Sequence, residues 1–217
     1  MRSYDTMTSK PPWMTPLGVR APRGRRMPGA RRAELLQRLE DLLLVEGFAR
    51  LTVDDLASRL QCSKSTLYAI APSKEQLVLA VVEHFFREAT ARVEAKIAPI
   101  DEPSQRIAAY LAGLGEELRR MSSDCYVDMV NFEATAQTYA ANSLAAARRV
   151  REFIQDGIAA GSFRAVNAEF VGVAVSLLID GIQHGELLDR TGLSFGEAYT
   201  ELSGLVLSAL TNHDRTA

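Results

Sequence analysis

A chain of 217 residues with 47% hydrophobic content and a formal charge of −2 has the size and composition to bury a core. No apolar run approaches the ~18 residues of a membrane span and no hydrophobic signal segment opens the chain, so a cytoplasmic protein is expected. Cys62 and Cys125 stand far apart without disulfide or metal spacing, and His84, His184 and His213 share no ligand spacing, so neither a metal nor a cofactor is expected.

The small net charge conceals an imbalance. Residues 1–32 hold eight Lys and Arg against one acid, Asp5, giving +7, while the remaining 17 basic and 26 acidic residues leave −9. Such a basic segment suits phosphate. Residues 1–29 are rich in Pro, Gly and Arg, show no hydrophobic periodicity, and read as a disordered basic arm with Trp13 loosely attached. From Ala30 onward the pattern is helical and no alternating strand appears, so an all-α protein of about nine helices is expected.

The first helix is expected from about Ala30 to Glu46, with Leu35, Leu39, Leu42 and Leu43 on one face and Gly47 as its left-handed cap. Thr52 then caps a short helix reaching about Leu60, whose first turn carries Asp54 and Asp55. Ser63 caps a third helix, Lys64 to Ile70, which Pro72 stops. Ser73 and Gln76 open a long fourth helix with the stripe Leu77, Val81, Phe85, Ala89, Val93 and Ile97. Two short helices joined by a tight turn and braced on both sides form a helix-turn-helix. The expected division is the arm at 1–29, a helix-turn-helix domain at 30–76 and a helical body at 77–217.

The segments Glu46-Gly47-Phe48, Leu51 to Ala57, Ser63-Lys64-Ser65-Thr66-Leu67-Tyr68 and Pro72 to Leu77 occur in an order and spacing that resembles the DNA-binding region of the TetR/AcrR family of repressors. The resemblance covers about a quarter of the chain, Arg31 to Phe86. It implies a dimeric repressor that binds a palindromic double-stranded operator and is released by a small-molecule effector of unknown identity. Thr52, and Ser73 with Lys74, are expected to hold phosphates at helix N-termini. Ser63, Lys64, Ser65, Thr66 and Tyr68 are expected to face the DNA, with Tyr68 contacting a phosphate through its hydroxyl, as its counterpart does in the family. Two departures stand out. Gln61 replaces the usual turn glycine, requiring either a left-handed backbone at ~1 kcal/mol or a differently opened turn. Ile70-Ala71 replaces the usual His-Phe, removing an aromatic wedge and a possible phosphate contact.

Beyond Pro103, helices are expected at about 104–121, 124–140, 143–160, 168–189 and 195–212, the last two capped by Asn167 and Ser194. A cavity among them is expected to draw on Phe86, Tyr110, Leu114, Met121, Cys125, Met129, Phe132, Tyr139, Phe153, Leu178 and His184. The last two helices carry more than one apolar face, so a two-fold dimer interface is expected from Val171, Val175, Leu178 and Ile182 with Leu202, Leu205, Val206, Ala209 and Leu210. No nucleophile elbow, phosphate loop or metalloprotease motif occurs, so an enzyme is not expected. The competing reading is a helical ligand-binding or interaction module whose degenerate helix-turn-helix no longer grips an operator.

Overall fold

Leu35, Leu36, Leu39, Leu43 and Leu44 lie on the buried side of the first helix, and the rest of the N-terminal region assembles on that stripe. The computed structural model describes residues 29–211 and is all-helical over them; the basic arm up to residue 28, with Trp13, and also His213 lie outside the described residues. In chain order the helices are α1 (Gly29–Glu46), α2 (Val53–Arg59), α3 (Lys64–Tyr68), α4 (Lys74–Ile97), α5 (Pro103–Leu118), α6 (Ser123–Asn131), α7 (Glu133–Ala159), α8 (Ala168–Gln183), α9 (Glu186–Thr191) and α10 (Phe195–Leu210).

The caps expected from sequence are in place. Thr52 and Asp55 form a reciprocal capping box on α2, as do Ser194 and Glu197 on α10. Ser63, Ser73 and Asn167 each accept a bond from the backbone N–H three residues on. Gln61 takes the left-handed option, with φ 52°. Its N–H reaches Ser58 O and the N–H of Cys62 reaches Ala57 O, a Schellman closure of α2 normally built on glycine.

Three boundaries differ from expectation. The expected helices at 124–140 and 143–160 instead divide at Phe132, which has an extended backbone and serves both as the end of α6 and as the start of α7. The Phe132 ring packs edge-on against Phe48 at 5.6 Å, and Thr135 Oγ1 donates to the carbonyls of Met129 and Phe132 at 2.8 and 3.2 Å. Residues 140–147, rich in alanine, then continue as helix with no reason to break. The expected helix 168–189 is interrupted at Gly185, whose φ of 79° separates α8 from the six-residue α9 and raises the helix count to ten among the described residues. Finally α3 stops at Tyr68, and Ile70 closes a tighter turn onto Leu67 O.

Two cores run through the molecule. The first joins α1 to α3 and the start of α4 with Met121, Cys125, Tyr126 and Met129 on and just before α6. The second unites the end of α4 with α5, α7, α8 and α10. At Gly172 the backbones of α7 and α8 approach so closely that a Cβ would lie 2.7 Å from Ala147 O. The 24 residues of α4 belong to both cores and extend about 36 Å at ~1.5 Å per residue.

Candidate functional site

A short helix held by one fully buried leucine turns its remaining side chains outward. Leu67 has no exposed surface, whereas Ser63, Lys64, Ser65, Tyr68 and Ala69 are exposed and Thr66 is half-buried. Tyr68 is 47% exposed, leaving its phenol at the surface. Ser63 Oγ lies 2.7 Å from Ser65 Oγ and 2.8 Å from Thr66 Oγ1, so the three hydroxyls form one cluster at the start of α3. Lys64 Nζ pairs with Asp54 Oδ1 across the turn, and that hydrogen bond favours its charged form.

The flanking helix starts are arranged less simply than the sequence suggests. Both the hydroxyl and the N–H of Thr52 donate to Asp55 Oδ2, at 2.6 and 2.8 Å, and these bonds hold the Asp55 carboxyl below its usual range. The Thr52 hydroxyl proton is therefore committed within the chain, and the donors this end offers to an anion are backbone N–H groups of α2. At α4, Ser73 Oγ accepts from Gln76 N and Lys74 Nζ donates to Ala49 O at 2.9 Å. Ala49 also donates its own N–H to Asp128 Oδ2 at 2.7 Å, next to Phe48 N at 2.5 Å on the same oxygen. Asp128 belongs to α6, so the loop between α1 and α2 is tied to the body.

A cavity of about 280 Å³ opens among α4, α5, α7 and α8. Of the eleven residues expected there, Phe86, Tyr110, Leu114 and Tyr139 line it. The others lie elsewhere. Met121, Cys125 and Met129 are consumed by the first core, where burial pushes the Cys125 thiol up to about 12. Phe132 packs on Phe48, Phe153 sits behind Tyr110 at 5.2 Å, Leu178 packs into the second core, and the His184 ring stands edge-on to Tyr126 with Nδ1 3.1 Å from its hydroxyl.

Sequence reasoning passed over the remaining wall. Phe85, Ala89, Thr90 and Glu94 follow from the four-residue step of α4, while Asn142, Ser143, Arg149 and Ser176 are small or polar residues that no apolar stripe signals. The charges at the wall are already paired. Arg149 forks onto both oxygens of Glu94 at 2.8 Å each and lies 4.4 Å over the Phe153 ring. Arg92 forks onto Glu117 at 2.7 Å through both nitrogens, which holds the Glu117 carboxyl below its usual range. Tyr139 donates to Asp180 Oδ1 at 2.6 Å; burial, then that bond, raises its phenol. Asn142 Nδ2 donates to Thr138 O at 2.8 Å, and the residue is part of the cavity wall.

The expected dimer residues divide by burial. Val175, Ile182, Leu202, Val206 and Leu210 point into the chain's own second core, and Val175 lines the cavity, so they present no outer face. Val171, Leu178 and Ala209 are half-buried, and Leu205 is 60% exposed. The outward apolar stripe of α8 is Phe170, Val173 and Leu177, which sequence reasoning missed although their spacing of three and four marks a second face.

Comparison with known proteins agrees with the geometry. The family model described as bacterial regulatory proteins, tetR family, matches residues 35–81. An HTH-type transcriptional regulator EthR of Mycolicibacterium smegmatis is 33% identical over 92 residues, spanning 41% of this chain and 42% of that protein. A putative transcriptional regulator from Saccharomonospora viridis, solved in complex with choline, superposes with a TM-score of 0.73 at 19% identity over 86% of this chain and 100% of that one. A TetR regulator from Chloroflexus aurantiacus gives 0.69 at 19% identity over 84% and 96%, and a SmeT–triclosan complex gives 0.65 at 16% identity over 85% and 93%.

Proposed function

The chain is a member of the TetR/AcrR family through its N-terminal module, and on that premise we propose that it is a cytoplasmic, operator-binding repressor, without catalytic activity, that works as a homodimer and is released by a small molecule. The observation that carries this reading is the placement of α4, which contributes Lys74 beside the exposed α3 and, several turns later, Phe86, Thr90 and Glu94 to the cavity wall. A tilt of one end moves the other.

In this reading Ser63, Lys64, Ser65, Thr66 and Tyr68 meet the major groove, while Ser73, Lys74 and the N-terminus of α2 at Thr52 fix the backbone. The basic segment up to Arg32 adds sequence-independent affinity. Phe170, Val173, Leu177 and Leu205, from 46 to 71% exposed, are the surface that a second copy covers. The paired charges and apolar wall of the cavity favour a neutral, largely apolar effector.

Selection of bound DNA from a random library tests the proposal directly. A recovered palindrome with half-sites about one helical turn apart is expected. Enrichment of no sequence would favour the degenerate ligand-binding module instead. Effector and operator are expected to weaken each other's binding by the same factor, on the order of 5–150-fold.

A further inference from the structure

A carboxylate almost sealed from water sits inside the helix-turn-helix module of α1 to α3, the reading head of the proposed function, and its guanidinium partner comes from the body. Glu40 on α1 is 1% exposed. Its Oε1 accepts a 2.7 Å bond from Nη2 of Arg120, in the turn after α5, and a longer one of 3.3 Å from Gln37 Nε2 on its own helix, and its Oε2 lies 2.7 Å from His84 Nδ1 on α4. A buried carboxylate is tolerated only when it is paired and hydrogen-bonded, and Arg120 supplies the guanidinium charge, so the seating of α1 is sensitive to where that group is held.

That guanidinium is held by the cavity wall. Arg120 Nη1 donates to Glu117 Oε2 at 3.2 Å, and Arg120 Cζ lies 5.7 Å from the centre of the Phe85 ring. Glu117 and Phe85 both line the cavity. One side chain thus touches two wall residues on one side and the buried carboxylate of the reading head on the other.

We infer that Arg120 is a positioning residue that transmits the state of the cavity to α1 through the series Glu117, Arg120 and Glu40. This rests on the reading of the cavity as an effector site, and it adds a second point of entry, at the first helix of the module rather than at Lys74 and the start of α4. A ligand that displaces Phe85 or draws Glu117 toward itself re-aims the guanidinium, and Glu40 then loses its charge-paired bond. The fork geometry matters here, since Nη2 serves Glu40 and Nη1 serves Glu117 from one rigid plane, a fixed orientation that a single ammonium nitrogen does not reproduce.

The test is a double-mutant cycle between Glu117→Gln and Glu40→Gln, side chains with no bond to one another, read without ligand by amide hydrogen exchange over residues 35–44 and by affinity for the selected operator. Non-additivity of at least about fivefold is expected in the native background, collapsing to within about twofold when the cycle is repeated in Arg120→Met. Additivity in the native background overturns the inference. Arg120→Lys separates positioning from bulk support: it is expected to keep α1 protected yet lose the coupling, whereas retained coupling counts against the inference. Should Glu40→Gln fail to fold, Glu117→Gln alone decides, because it must speed exchange in α1 by about fivefold although Glu117 bonds no residue there.

A second arm uses the neutral fluorophore N-phenyl-1-naphthylamine. Its binding is expected to speed α1 exchange in the native protein and not in Arg120→Lys; equal effects in both overturn the inference. Failure of the fluorophore to bind counts against the cavity as a ligand site, and the ligand-free cycle still decides the linkage. If no DNA is bound, the exchange measurement alone remains decisive.

Discussion

Replacing Asp128 with alanine removes the one oxygen that accepts from both Phe48 N and Ala49 N, at 2.5 and 2.7 Å. The Phe48 donor is partly buried beside a fully packed ring, so leaving it unpaired costs the larger share of ~1.5–3 kcal/mol for a charge-assisted bond. The Ala49 donor is exposed and water takes over, contributing at most ~0.5 kcal/mol. The total of about 2–3 kcal/mol corresponds to a fall in Tm of ~4–12 °C for a chain of this size. Asp128→Asn keeps an acceptor without the charge and should lose about half as much. Thermal unfolding by circular dichroism measures both variants, with operator affinity followed in parallel, because Ala49 O is also the partner of Lys74. A change in Tm below ~2 °C for Asp128→Ala, or equal losses for the two variants, would refute the view that this carboxylate fastens the reading head to the body.

Gln61→Gly removes the left-handed strain at φ 52° and should raise stability by up to ~1 kcal/mol, seen as a Tm gain of ~2–4 °C; a loss would mean that the side chain contributes more than the backbone costs. Because Arg92 holds the Glu117 carboxyl below its ordinary 4.5, the stabilisation is present above that value and is lost as pH falls through the lowered one. The stability difference between the native protein and Glu117→Gln should therefore shrink in acid titrations below about pH 4.5, and a constant difference would contradict the pairing. Lys74→Ala should weaken selected and random DNA alike, whereas Lys64→Ala should alter base preference; matching preference profiles would remove α3 from its assigned role.

The helical punctuation was legible because it is local. Thr52, Ser63, Ser73, Asn167 and Ser194 each cap where their short side chains reach a backbone N–H three residues away, a decision made within one turn. The break at Phe132 was not legible, since it depends on Phe48, 84 positions earlier in the chain. Cavity residues were half-legible for a similar reason. Aromatic residues announce burial but not which core receives them, so Met121, Cys125 and Met129 went to the first core while Tyr110 and Tyr139 reached the cavity. Polar wall residues such as Asn142 and Ser176 give no periodic signal. On α8 both apolar faces were visible, yet only packing reveals that Val175 turns inward and Leu177 outward.

The first core has a consequence for how such proteins are recombined. Residues 30–76 are contiguous in sequence, but Tyr126 and Met129 on α6 are 1% exposed within the same cluster as Leu39 and Leu56. A graft that transplants only the first three helices onto another body leaves that cluster with an open side and strands the Asp128 clasp. On the proposed function, the heritable unit of DNA recognition is therefore discontinuous: a functional chimera must carry α6 along with α1 to α3, or supply an equivalent surface shaped to the same leucines.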